Sequence, residues 1–389
     1  MSMRILSIET SCDDTGIAVL RARGQGLGSS FETLANVVSS QQIHQNYGGV
    51  FPMMAKREHQ ANLVPVLTRA LKEAKLANPK SEFLNPKQIK ILKEIFKREE
   101  KLFEYTVKFL QTYEKPEIDA IAVTYGPGLE PCLWVGVNFA RALSYFWDIP
   151  LIPVNHIEAH ILVNFLDPRP STLAPKKIFP AISLVVSGGH TQLILVKKLG
   201  KYEIIGETRD DAAGECFDKC AKLLGLGYPG GPIISKIASD YNLDPRPYIL
   251  KLPRPMINSK DYDFSFSGLK TAVLYEAKGK ELTKEYVGAM CVELQQAIID
   301  VLLKKTLQAA KDFKAKTVIL GGGVSANQEL RKRLTKKINK EIPGVQCLKP
   351  DVKHSTDNGL MIAVAAYLNR KKTVAWKNLE ANANLRIGQ

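Results

Sequence analysis

Cysteine is sparse in this chain, and no two cysteines form a C-x-x-C pair. Cys12, Cys132, Cys216, Cys220, Cys291 and Cys347 are scattered over 389 residues without a C-x-x-C spacing. A zinc ribbon and a disulfide framework therefore find no support, and the six read as buried free thiols. The N-terminus MSMRILSIET has no basic segment leading into an apolar stretch, and no apolar run approaches the roughly 20 residues that cross a bilayer. The expectation is a cytoplasmic protein with no membrane partner. The G-x-S-x-G elbow of hydrolases is absent too, because Val185 occupies the first glycine position around Ser187. Ser187, Gly188 and Gly189 are read instead as backbone that contacts a ligand.

What is present is an ordinary globular composition, 45% hydrophobic and 24% charged, in a chain long enough for two domains. The net charge of +15 suits a polyanionic partner, since lysine and arginine displace counterions from phosphates, and it equally suits a lysine-rich background. Two stretches concentrate it. Arg331, Lys332, Arg333, Lys336, Lys337 and Lys340 share one helical segment, and Lys87, Lys90, Lys93, Lys97, Arg98, Lys101 and Lys108 punctuate another.

Arg4 to Leu20 reads as strand, polar turn and strand, and Ala181 to Val196 repeats the plan, which points to an internal duplication. Asp119 to Gly128 and Thr317 to Leu330 read as strand-to-helix units. In the second, Gly321, Gly322 and Gly323 allow a sharp turn, and Ser325 with Gln328 has capping-box spacing. A helix N-terminus then faces the end of a strand, where anions and nucleotides bind in α/β sheets, although a plain turn gives the same pattern. Residues 75–115 turn charged, with Leu92, Ile95, Leu102 and Phe109 at helical spacing, and predict an inserted amphipathic helix. The proline-rich stretch Pro168 to Pro180 predicts a loop near the junction of the lobes.

The sharpest local signal is the segment NHIEAH, residues 155–160. His156 and His160 are four apart and share a helix face, as two imidazoles on one metal ion require, with a third ligand from elsewhere. Glu158 falls roughly 200° around that helix from His156. It points away from such an ion, which disfavours the zinc-peptidase arrangement. Asp13 and Asp14 lie in the first hairpin turn and suit either positioning chemistry or local turn bonding. Asp218 and Lys219 precede the glycine-rich turn at Gly230 and Gly231, which reads as a purine and ribose site or as an ion-paired surface helix. Asp357 precedes an apolar helix that it could cap.

In order along nearly the whole chain, IETSCDDTGIAV, YGGVFPMMAKREH, GPGL, NHIEAH, LVVSGGHTQL, DDAAGECFDKCAKLLGLGYPGGP, DFSFSGLKTA, GGGVSAN and TDNGLMIA resemble the TsaD family, also called Gcp. The wording is closest to its bacterial branch. The resemblance implies an α/β, two-lobed, actin-like ATPase (ASKHA) fold with duplicated ribonuclease H-like lobes. Residues 1–153 would form the N-terminal lobe, 154–365 the lobe with the metal and nucleotide site, and 366–389 a helix and tail returning to the first lobe. It implies transfer of a threonylcarbamoyl group from threonylcarbamoyl-AMP to the exocyclic amine of the tRNA adenosine 3′ of the anticodon, releasing AMP. His156, His160 and Asp357 match the family's ligands for one divalent ion per subunit, Fe2+ ahead of Zn2+. Val185, Val186, Ser187, Gly188, Gly189, Asp218, Gly231 and Asn327 match positions that hold the nucleotide intermediate, with Gly214, Glu215 and Lys219 in the same stretch. Asp13 matches a turn acid implicated in activity. The implied partners are tRNA, AMP- or ATP-type nucleotides, and TsaB- and TsaE-like proteins. Departures are Asn155 where many relatives have histidine, Glu130 and Pro131 in the GPGL loop, and the 75–115 insertion. The rival readings are a metal-dependent (glyco)protease and an actin-like kinase.

Overall fold

The computed structural model describes residues 2–81, 83–166, 178–241 and 248–388. It contains two five-stranded mixed sheets. The first runs β3 (Ser30–Ser40), β2 (Asp14–Arg23), β1 (Ser2–Glu9), β4 (Ala120–Gly126), β5 (Leu151–Asn155). The second runs β8 (Lys201–Glu207), β7 (Thr191–Lys198), β6 (Ala181–Val186), β9 (Thr317–Gly321), β10 (Gln346–Leu348). Each has two antiparallel pairings followed by two parallel ones, in the same order. The hairpin likeness read from sequence is thus one part of a whole duplicated sheet, as expected of two like lobes.

The central strands are apolar at nearly every position because both faces are covered. Period 2 sorts them. Leu6, Ile8, Ile17, Val19, Ile121 and Val123 face α1 (Pro52–Glu73) and α4 (Glu130–Trp147). Ile5, Ala18, Leu20, Ala120 and Ala122 face α11 (Gly359–Leu368), and the alanines on that side let the helix approach closely. In the second lobe Ile182, Leu184, Leu193, Val318 and Leu320 pack under α6 (Ala213–Leu223) and α9 (Lys284–Asp312). Among the described residues α9 alone is long and apolar enough to span a bilayer, and most of it is buried in this core.

Between the sheets lies the short helix α5 (His156–Leu162), buried along its whole length. Ile157 and Ile161 enter the second lobe's core, and Ala159 and Leu162 enter the first's. One helix therefore joins the lobes with two apolar faces and leaves a third for its histidines.

The insertion differs from the single helix predicted. It is a pair, α2 (Pro86–Ile95) and α3 (Glu100–Thr112). The four anticipated apolar residues are all buried, but Phe96 and Glu99 are buried between the helices as well. Glu99 Oε1 lies 3.4 Å from Lys56 Nζ and its Oε2 accepts from Asn138 Nδ2 at 3.1 Å. That inward anchor forces the chain to turn. The first lobe also regains the chain earlier than residue 366, because α11 packs on β1 and β2. The tail beyond it buries Leu379 in the first core and Ile387 against the second sheet. Positions 168–177 of the predicted proline-rich loop lie outside the described residues. The remaining helices are α7 (Gly230–Tyr241), α8 (Ser267–Ala277) and α10 (Gln328–Glu341).

Candidate active site

Helix α5 begins where Asn155 Oδ1 accepts from the backbone N–H groups of Ile157 and Glu158, at 2.9 and 3.0 Å. This is an N-cap, and it gives the departure at Asn155 a structural role. Helical spacing then brings His156 and His160 to ring centroids 4.6 Å apart. Asp357 does not cap α11, for Asn358 does so by accepting from Met361 N at 3.1 Å. Its carboxylate turns instead to α5, with Oδ1 3.1 Å from His160 Nε2 and 3.6 Å from His156 Nε2. The three donor atoms all fall within 4.8 Å of one another.

These residues fit a divalent cation on three grounds. His160, which is 1% exposed, holds Nε2 without a well-aligned hydrogen bond although Asp357 Oδ1 is 3.1 Å away, as when donors converge on a central ion rather than on each other. Burial opposes the charges on Glu9 and Asp357, yet His156 holds the Glu9 carboxyl, and His156 with His160 the Asp357 carboxyl, below the ordinary range. Burial likewise opposes charge on His156, but Asp357 and Glu9 outweigh it and lift its pKa to about 9. Two ionised carboxylates beside two imidazoles make a pocket that demands positive charge.

Glu9 is the residue that sequence reasoning missed. Its Oε2 lies 3.2 Å from His156 Nδ1 and accepts from Thr124 Oγ1 at 2.5 Å, while Oε1 accepts from Ser11 N at 2.5 Å. A carboxylate on Nδ1–H fixes the tautomer that leaves Nε2 free as a ligand. Glu9→Gln is expected to weaken metal binding roughly 10- to 100-fold, read by chelator competition, with the melting temperature nearly unchanged. Unaltered affinity would refute the role.

The cluster opens on a cleft of about 1290 Å3 between the lobes, ample beside the roughly 300–1,000 Å3 of small-molecule sites. Both hairpin turns line it: Cys12, Asp13 and Asp14 from the first, Ser187, Gly188 and Gly189 from the second, together with Gly214, Asp218, Gly231 and Asn327. Val185 and Val186 do not line it, since their side chains are fully buried in the second lobe; strand alternation sends each into a core. Ser187 N–H is also committed, donating to His190 O at 2.8 Å. Asp218 Oδ1 accepts from Gly230 N at 2.7 Å, and burial raises its pKa to about 6 against the pull of that contact. Lys219 is ion-paired to Asp211 and Glu215. The capping box expected at Ser325 is absent. A 3-10 turn over Gly323–Ala326 moves the helix start to Asn327, whose Oδ1 accepts from Leu330 N and whose Nδ2 donates to Gln295.

The Asp13 turn is held from beneath by His59, a second residue the sequence reading gave no role. His59 donates from Nε2 to Cys12 O at 2.9 Å and accepts at Nδ1 from Thr15 Oγ1 at 2.8 Å. Burial lowers its pKa to about 4, so it stays neutral in this clamp. Burial raises the pKa of Asp13, and raises that of Asp14 from 3.8 to about 7. Because folded Asp14 holds its proton more tightly than the unfolded chain does, its contribution to stability is full below pH 3.8 and is lost as pH rises through about 7. In chelator-treated protein, Asp14→Asn is therefore expected to raise the melting temperature at pH 8 by a few degrees, with the gap closing in acid. An equal gap at all pH values would contradict this.

The family model "TsaD: tRNA N6-adenosine threonylcarbamoyltransferase" matches residues 32–81 and 101–364, leaving α2 outside the match. The tRNA N6-adenosine threonylcarbamoyltransferase of Persephonella marina is 41% identical over 391 residues, covering 99% of this chain and 96% of its own. That of Thermosipho melanesiensis is 43% identical, covering 94% of each. Among solved structures, nucleotide-bound full-length HypF is 13% identical with a TM-score of 0.49, covering 98% of this chain and 56% of its own. Identity at this level over almost the full length of both chains settles the family, and this chain belongs to the TsaD family of tRNA N6-adenosine threonylcarbamoyltransferases.

Proposed function

We propose that this transferase moves a threonylcarbamoyl group from threonylcarbamoyl-AMP to the exocyclic amine of the adenosine 3′ of the anticodon in tRNA. The observation that carries the reading is the His156, His160 and Asp357 cluster opening directly on a nucleotide-sized cleft. The amine nitrogen attacks the carbamoyl carbon, the bond from that carbon to the phosphate oxygen breaks, and AMP departs with the bonding electrons. A divalent ion held by the two histidines and Asp357, Fe2+ or Zn2+, supplies Lewis acidity at this site.

The chain's own groups do the rest. Gly188 and Gly189 line the cleft, and their backbone N–H groups would meet the leaving phosphate as charge develops. Asp218 and Gly231, with the α10 N-terminus set by Asn327, hold the nucleotide. Asp13, raised toward the range useful for proton transfer by burial, accepts the proton lost by the amine. A peptidase of the usual helical zinc arrangement would use Glu158 as its base, but Glu158 does not line the cleft and its Oε1 accepts from Tyr202 Oη at 2.8 Å. TsaB- and TsaE-like proteins are the proposed partners, in the cytoplasm.

The test is mass spectrometry of nucleosides from unmodified tRNA incubated with the protein and threonylcarbamoyl-AMP, with and without those partners. N6-threonylcarbamoyladenosine equimolar with released AMP is expected. Peptide release without nucleotide or tRNA, and no modified nucleoside, would overturn the assignment.

A further inference from the structure

Helix α10 carries six cations, and the fold sorts them into two groups. Arg331 donates to Ser325 O and Pro350 O, Arg333 bonds Gln296 and pairs with Asp300, and Lys337 pairs with Glu341. Lys332, Lys336 and Lys340 are exposed, four residues apart, and enter no ion pair among the described residues. Three other helical pairs at that spacing carry opposite charges, Arg69 with Glu73, Glu215 with Lys219 and Glu276 with Lys280. Like charges four apart destabilise a helix by roughly 0.2–0.5 kcal/mol per pair, so the row carries a local cost, which the helix C-terminus eases only at Lys340.

Its position gives the cost a use. Counted from Gln328, which sits with Asn327 on the cleft wall, the row's members advance about 6 Å and turn about 40° per step, so Lys340 lies about 18 Å along the helix from the cleft. An ordered polyanion entering that cleft would lie along it. The other basic helix, α2, has exposed Lys87, Lys90 and Lys93, but no described residue of the 75–115 insertion lines the cleft.

We infer that Lys332, Lys336 and Lys340 form a phosphate-binding track along which the tRNA backbone runs as its target adenosine enters the cleft. This rests on the transferase reading and adds to it where the RNA lies. The track is sequence-independent, because lysine meets phosphate as a point charge without base contacts.

The test compares K332A/K336A/K340A with K87A/K90A/K93A in the full chain, after thermal melts confirm that both fold. Affinity for unmodified tRNA is titrated against salt, and steady-state kinetics are measured with the partner proteins present. In the α10 variant the slope of log K against log salt should fall by about two units, at roughly 0.7–0.9 per lost phosphate contact. The KM for tRNA should rise roughly tenfold, with kcat and the KM for threonylcarbamoyl-AMP unchanged, and the α2 variant should match wild type. An unchanged slope and tRNA KM in the α10 variant, or the loss appearing in the α2 variant, would overturn the track. Wild-type protein that binds tRNA but forms no modified nucleoside would refute the transferase reading instead, and the salt slopes would still judge the track.

Discussion

Asp357→Asn is expected to strip the protein of its metal and lower kcat about a thousandfold, while the melting temperature stays within a few degrees of wild type. The substitution keeps size and shape, and α11 keeps its start because Asn358 is the cap. What disappears is the negative charge that the two imidazoles stabilise. Lewis-acid assistance contributes several kcal/mol to a transition state, and each 1.36 kcal/mol is about tenfold in rate, which gives the thousandfold figure. Metal content by elemental analysis and single-turnover kinetics check it. Glu158→Gln is the companion measurement, since the amide still accepts from Tyr202 Oη and turnover should hold within about twofold. A large loss at Glu158 with little at Asp357 would point back to a peptidase.

The second large effect is expected at Gly321. A Cβ there would meet His160 O at 2.7 Å, backbone against backbone, with no flexible side chain to give way. Gly321 ends β9 in the second lobe, and His160 sits on the helix that joins the lobes, so Gly321→Ala drives a wedge between them behind the candidate ligands. Overpacking of this kind costs about 1–3 kcal/mol. We expect a melting temperature lower by several degrees and metal affinity weakened at least tenfold, read together by calorimetry with and without metal. A stability loss with unaltered affinity would show that the wedge relaxes elsewhere and that His160 is positioned independently of β9.

Most of the candidate site was legible where one stretch of sequence contains the whole motif. His156 and His160 needed only helical spacing. The two glycine- and aspartate-bearing turns needed only alternation interrupted by small polar residues. What depends on distant partners was not legible in the same way. Glu9 reads as one more buried strand residue until folding sets it against a histidine 147 positions away, and His59 reads as one polar residue of a helix until Cys12 and Thr15 close on it. The capping box failed for a local reason: Gly322 adopts φ of 84°, a left-handed conformation that glycine enters freely, and the 3-10 turn after it delays the helix to Asn327. The insertion was misread because helical spacing persists across Phe96 and Glu99 while the burial of Glu99 breaks the axis. For Glu9, His59 and the insertion the missing information was a tertiary contact that overrode a local pattern.

The central claim, that α5 and the turn before α11 together hold a cation facing the nucleotide cleft, is tested most directly by anomalous diffraction at the iron and zinc edges from crystals grown with AMP. The account predicts one anomalous peak within about 2.0–2.2 Å of His156 Nε2, His160 Nε2 and an Asp357 carboxylate oxygen, with AMP between the Asp13 and Ser187 turns. A peak elsewhere, or AMP bound outside that cleft, would contradict it.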